Sequence, residues 1–402
     1  MTVQTKASGL GLIVLLGALA GLTPLAIDMY LPAIPTIADE MHATVALTQL
    51  TVSFFLVGFA VGQLLYGPLT DAYGRMPVLG GSLGVFVLAS LVATWSHSVE
   101  MLIAARSLQA LGGAGASVVV MAVLRDLFQR EKFARAMSFV MLVMNLAPLA
   151  APILGGYLLL HGGWRAIFYL LGGFALALIV LMRLRVGETL PPEGRQPAGF
   201  KAALSLYRAI LVHDRVRVYL IVGTLFSASL FLFVTGSSYV YIRYFQVPAE
   251  HFGYLFGLNI VTMMTLTTVN ARYVARVGTA NMMVRGLMIT ALGAILALAT
   301  SLLSEPPLWA VVVPIMLMMG PLGMVSANAT TLALDAFEGA AGSVSALGGA
   351  MRFLAGALAG ALLSLVHPES PAPMLVGMAV CSLASLGYYL WHQKHLSVKD
   401  EQ

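Results

Sequence analysis

The sequence predicts an all-α membrane protein of twelve transmembrane helices in two six-helix halves. Three observations carry that expectation. Hydrophobic residues make up 59% of the 402, charged residues 10%, and mean hydropathy is +0.90; a soluble globule of this length carries about 25% charged residues. Apolar windows of about 19 residues, the length that crosses a bilayer, fall at 9–31, 47–67, 78–95, 100–123, 138–160 and 166–184, then at 218–242, 252–271, 284–303, 308–331, 344–366 and 374–391. A polar, basic stretch containing Pro191-Pro192-Glu193-Gly194-Arg195 separates the two sets. Residues 1–184, 185–217 and 218–402 are therefore expected to form an N-terminal half, a cytoplasmic linker and a C-terminal half.

Lys6, the following apolar run and Ala18-Leu19-Ala20 imitate a cleavable signal, but the apolar character continues past Ala20 and further spans follow. The stretch is expected to stay as the first helix, with Pro32 and Pro35 ending it. Its one charge is Asp28, which closes an uncharged run from Leu10 to Ile27. A carboxylate at that depth costs about 2.5 to 3.5 kcal/mol unless it is protonated, paired or wetted, so it marks a functional site. Orientation follows from the cations, because basic loops resist translocation. With the N-terminus inside, eighteen of the 22 Lys and Arg residues fall in cytoplasmic segments, only Arg165 and Arg243 fall outside, and Arg106 and Arg352 lie within helices. Both termini are expected in the cytoplasm.

The same inventory removes several chemistries. Cys381 is the single cysteine, which excludes an intrachain disulfide, and the eight histidines show no metal-ligand spacing. No lysine completes a phosphate-cradling GxxxxGK[ST] loop, and no nucleophile has a base at a convincing spacing. The chain is expected to be no enzyme, to hold no metal and no cofactor, and to draw any energy from elsewhere. Lipid is an expected partner, nucleic acid is not, and the chain is expected to work as a monomer.

Within the apolar spans the polar residues stand out. Arg106 lies six residues inside Glu100, about 9 Å from the outer end of span 4 at 1.5 Å per residue, and a buried guanidinium needs a partner. Asn145, Asn259, Asn328 and Arg352, with Tyr30, Tyr239 and Tyr241 towards the outer side, are candidates for interhelical contacts or for a substrate pocket. The 22 Met and 18 Phe residues would make such a pocket plastic. Small residues spaced by four, Gly58/Gly62, Ala147/Ala151, Gly253/Gly257 and Gly356/Gly360, fall on spans 2, 5, 8 and 11 and allow close helix approach.

Three blocks carry a family likeness. The first is Asp28-Met29-Tyr30-Leu31-Pro32-Ala33-Ile34-Pro35. The second is Gly67-Pro68-Leu69-Thr70-Asp71-Ala72-Tyr73-Gly74-Arg75, and the third runs from Ala147-Pro148 through Pro152 to Gly155-Gly156. With Glu188-Thr189-Leu190-Pro191-Pro192-Glu193, they resemble the bicyclomycin-resistance transporters, drug:proton antiporters of the major facilitator superfamily. The resemblance implies the major facilitator fold, the inner membrane of a bacterium, small-molecule drugs and protons as partners, and export driven by the proton gradient. Spans 2, 5, 8 and 11 would then meet across the two halves, which would rock against each other.

Gly67, Asp71, Gly74 and Arg75 match the superfamily's GxxxD[RK]xGR[RK] loop, with Ala72 and Met76 in place of two cations. There Asp71 can pair at helix ends, Gly74 permits a turn and Arg75 can anchor a carboxylate, together latching the cytoplasmic side. Arg106-Ser107-Leu108-Gln109 is similar to the family's RxxQG motif, with Ala110 in place of its glycine; in the fold that the resemblance implies, spans 1 and 4 line the central cavity, so Arg106 is expected to share a polar region with Asp28 that couples to the proton. Pro148, Pro152, Gly155 and Gly156 resemble the antiporter motif, where two prolines four apart favour a bend. A metabolite exporter of the same fold is the alternative; a channel is the reading from another class, and the motifs argue against a static pore.

Overall fold

The computed structural model describes residues 9–128, 130–195, 199–337, 340–366 and 370–400, and among these the regular structure is helical, with no strand. The helices are α1 Gly9–Asp28, α2 Ile34–Glu40, α3 Val45–Tyr73, α4 Arg75–Thr94, α5 Val99–Leu127, α6 Arg130–Arg185, α7 Phe200–Val212, α8 Asp214–Ser238, α9 Ala249–Val277, α10 Thr279–Ser301, α11 Leu308–Met319, α12 Asn328–Asp335, α13 Ala341–Ser364 and α14 Ala372–Asp400. Among the described residues, eleven helical stretches are long and apolar enough to cross a membrane. One of them, Arg135–Arg185, has 51 residues. Gly163 interrupts it with φ 69° and ψ 174°, so it contains two spans and the total is twelve.

The chain divides into two compact units, Met1–Ala203 with Pro248–Gly253, and Leu204–Val247 with Tyr254–Gln402. The first unit thus takes in the opening of the 185–217 segment.

In the first unit, caps and close approaches set the helices. Thr44 accepts from the backbone N–H of Leu47 at 3.1 Å to start α3, and Ser98 accepts from that of Met101 at 3.2 Å to start α5, each satisfying one orphan donor. Gly74, at φ 96°, turns the chain between α3 and α4. Helices α3, α4 and α5 pack so closely that some positions have no room for a side chain. A Cβ on Gly112 of α5 would lie 2.6 Å from both the Phe86 nitrogen and the Ser82 oxygen of α4. Both are backbone atoms that cannot yield. Gly112→Ala should therefore lower the midpoint of thermal unfolding in detergent by the equivalent of about 1 to 3 kcal/mol, the range for overpacking; an unchanged midpoint would mean that the helices separate freely.

Two sequence expectations change here. Gly58 and Gly62 were expected to serve contacts between the halves, but they face α5 of their own unit, Gly58 against the Ser107 carbonyl and Gly62 against Ala114. Pro32 and Pro35 were expected to end the first helix, yet α1 stops at Asp28 and a 3-10 turn, Leu31–Ala33, leads straight into α2. Both prolines fall in the first turn of the piece they open, where the missing N–H has no partner to lose.

The second unit is held by apolar clusters crossed by a few hydroxyls. Val218, Val222 and Phe226 of α8, Met283 and Leu287 of α10, and Tyr389 of α14 form one cluster. Ser229 donates to the Met378 carbonyl at 3.1 Å and Ser385 to that of Val222 at 3.0 Å, both buried ties between α8 and α14. Two wide π turns interrupt the spans, Tyr239–Tyr244 after α8 and Gly323–Ala327 between α11 and α12.

Candidate functional site

Asp28 is the last residue of α1 and is 5% exposed. Among the described residues no cation lies within ion-pair distance of it. Gly155 of α6 lies against the Met29 carbonyl so closely that a Cβ there would overlap it. The antiporter-like motif is therefore packed against the residue that follows the buried acid.

Arg106, two turns into α5, is completely buried, which rules out a side chain reaching back to Glu100. Its guanidinium lies over three aromatic rings, 4.2 Å from the centroid of Phe55, 4.6 Å from Tyr30 and 5.9 Å from Phe168. Each desolvated cation–π contact contributes up to about 2 kcal/mol. One guanidinium nitrogen donates to Gln109 Oε1 at 2.5 Å, Gln109 Nε2 donates to Ser90 Oγ at 2.8 Å, and Ser90 donates to the Phe86 carbonyl at 2.7 Å. Among the described residues Nε and Nη2 make no hydrogen bond, and the cation is stabilised by aromatic faces and an amide rather than by a carboxylate.

Among the described residues Arg106 makes no ion pair with Asp28; the expectation was of a shared polar region. Tyr30, two residues beyond Asp28, supplies the Arg106 contact instead. Tyr30 was also a candidate substrate contact; it is completely buried, with its hydroxyl 2.8 Å from Thr51 Oγ1 and its ring 5.8 Å from Phe168. In this arrangement it is a wall of the arginine cage. Trp164 extends the aromatic group, with its ring 6.0 Å from Phe168 and its Nε1 donating to Glu40 at 2.8 Å.

The Gly67–Arg75 loop forms a second polar cluster at the opposite end of the unit's helices. Arg75 donates to Asp71 at 2.5 Å, to Asp126 at 3.1 Å and to the Thr70 hydroxyl. Glu188 caps α4: its two carboxylate oxygens accept from the backbone N–H groups of Arg75 at 2.9 Å and Met76 at 3.1 Å. A carboxylate at a helix N-terminus meets both orphan donors and the positive end of the macrodipole. Thr189 donates to Asp126 at 2.9 Å and closes the ring. A Cβ on Gly74 would lie 2.6 Å from Glu188 Oε2, so glycine serves both the positive φ and the docking. Gly67, by contrast, would meet nothing within 4 Å and is not needed for close approach.

The remaining candidates are dispersed. Pro148 and Pro152 lie inside α6, and among the described residues the backbone of α6 leaves helical values at Gly163 rather than at either proline. Gly156 is buried. Asn145 falls outside the residues whose side chains are described. In the second unit Asn328 donates to Asn270 Oδ1 and to the Met324 carbonyl, each at 2.8 Å, and so ties α12 to α9. Asn259 donates to the Leu255 carbonyl at 3.3 Å within its own helix, and Tyr239 begins the π turn after α8. Arg352 of α13 donates to Thr330 at 3.2 Å. Sequence reasoning passed over Phe55, Phe168 and Asn270, and quoted Gln109 and Glu188 within motifs without assigning their contacts. Only Gln109 had a local signal, since a residue three beyond Arg106 shares its helix face.

A family profile described as Major Facilitator Superfamily matches residues 16–360. Over 387 residues the chain is 36% identical to a bicyclomycin resistance protein homolog of Haemophilus influenzae, with 96% of each chain covered. Over 375 residues it is 27% identical to multidrug resistance protein D of Escherichia coli, covering 89% of each. Among solved structures, a D-xylose-proton symporter superposes with a TM-score of 0.74 at 15% identity, covering 94% of this chain and 97% of that one; at that identity the likeness speaks for the fold alone. Twelve apolar spans, a capped loop with the family's glycine, aspartate and arginine, and a profile match over most of the length converge on one conclusion: the chain belongs to the Major Facilitator Superfamily.

Proposed function

We propose that the protein exports drug-like compounds in exchange for protons across the inner membrane of a bacterium, with both termini in the cytoplasm. The observation that carries the reading is Asp28, a carboxylate 5% exposed at the end of an apolar helix and joined to no cation among the described residues. A buried acid with no fixed counter-charge can change protonation without breaking an ion pair, which a coupling site requires. The relatives named for bicyclomycin and multidrug resistance supply the substrate class. In this reading Arg106 is held permanently in its cage and presents a constant positive potential near Asp28. Proton and drug compete for the deprotonated site, and alternating access opens it to one side of the membrane at a time.

Coupled export has a direct test. In everted vesicles the protein should move a drug of the bicyclomycin class inward against its gradient when a proton gradient is imposed, and a protonophore should stop that movement. Equal flux in both directions, indifferent to the protonophore, would instead identify a channel.

A further inference from the structure

The second unit holds a cation that the export mechanism does not use. Arg352 lies eleven residues into α13, about 16 Å along the helix at 1.5 Å per residue, and is only partly exposed. A guanidinium has five N–H donors. Its hydrogen bond goes to Thr330 Oγ1 at 3.2 Å. Among the described residues no carboxylate comes within 4.0 Å of it. Unlike Arg106, it has no aromatic ring stacked on it among the cation–π contacts described.

Beside it α8, α12 and α13 leave a cavity whose wall includes Gly223, Ala329, Gly348, Thr330, Ser345 and Arg352. Small residues make the space: a Cβ on Gly223 would reach only to 3.9 Å of Ala329. The volume open to the centre of a water-sized sphere is about 10 Å³, room for one water or one monatomic ion. The hydroxyls divide the work. Thr330 donates its proton to the Ser326 carbonyl at 2.8 Å, so its oxygen is left to accept from Arg352 and to aim the guanidinium. Ser345, itself exposed, lines the same cavity and adds a second hydroxyl.

A partly buried cation without a carboxylate partner among the described residues, beside a small cavity with a second hydroxyl on its wall, suits a small anion. We propose that this cavity binds a single monatomic anion of the size and charge of chloride, held by the Arg352 guanidinium and the Ser345 hydroxyl. The site stands apart from the drug-export reading, since its occupancy does not depend on what the protein transports.

The test uses the full chain purified in detergent. At constant ionic strength, replacing gluconate by chloride or bromide should raise the midpoint of thermal unfolding along a saturable curve, and phosphate, which is larger than a halide, should do so less. Arg352→Gln should weaken the half-saturating chloride concentration by about thirtyfold or more, as expected when one member of a buried charge pair is removed. Should that variant fail to fold, Ser345→Ala should still shift the curve to higher chloride. Crystals grown in bromide should show an anomalous peak beside Arg352. No saturable halide response, the same response in both variants, equal rescue by phosphate, or a bromide-free cavity holding water alone would each overturn the assignment.

Discussion

Replacing Asp28 by Asn should abolish the release of protons that drug binding otherwise causes. In weakly buffered solution the wild-type protein should release up to about one proton per drug bound, and raising the pH should tighten drug binding. Both follow from one competition: if protonation of the site opposes the drug, the drug must oppose the proton by the same factor. Asn keeps the volume and polarity of Asp28 but does not titrate in this range, so the variant should bind drug with an affinity that no longer varies with pH. It should lose uphill export completely. Proton release unchanged in Asp28→Asn would move the coupling to another acid, Asp71 or Asp335 first, and leave Asp28 as a structural residue at a helix end. Isothermal titration in two buffers of different ionisation enthalpy reads the proton count directly.

At the Gly74 turn, Asp126→Asn should do more damage than Asp71→Asn, although Asp71 is the residue that the motif singles out. Both carboxylates accept from Arg75, but the Asp71 side chain is 59% exposed and that of Asp126 is 19% exposed. An exposed ion pair is worth about 0.2 to 1 kcal/mol. The Asp126 side chain is the more enclosed of the two acceptors, so its charge is less screened and its loss costs more than that of an exposed partner, although Asp71 still holds the Arg75 cation. Asp126 also accepts from Thr189, so its loss loosens the chain that carries Glu188. The expected result is a clear fall in the unfolding midpoint and in transport for Asp126→Asn, with a small change in both for Asp71→Asn. Drug affinity in detergent should be nearly unchanged in either variant. Equal effects would mean that burial at this turn does not govern its strength.

The helices and their number were legible in the sequence because hydropathy over about 19 residues reports a property of the solvent, not of any neighbour. The Gly74 turn was legible for a similar reason, since a positive φ is a local demand. Partners were not. Arg106 announced that it needed a partner, but whether a carboxylate or a wall of rings would supply it depends on how Tyr30, in the turn after α1, converges with Phe55 of α3 and Phe168 of α6. The capping role of Glu188 was hidden because it lies more than a hundred residues from Arg75 and Met76. Gly58 and Gly62 show the same limit from the other side. Spacing identified a surface made for close approach, and only the structure identified α5 as the helix that approaches it.

The Glu188 cap also bears on where the chain can be cut. A transporter with two compact units invites expression as two separate polypeptides, and the obvious place for the break is anywhere in the polar segment between them. The positions are not equivalent. A break ahead of Glu188 would assign the cap of α4, and the Thr189 donor that reaches Asp126, to the wrong fragment, where they would have to find their partners as a second molecule. A break after Arg195 leaves Glu188 and Thr189 covalently joined to the helices they secure. Fragments divided after Arg195 should reassemble into a working pair at expression levels where fragments divided before Glu188 do not.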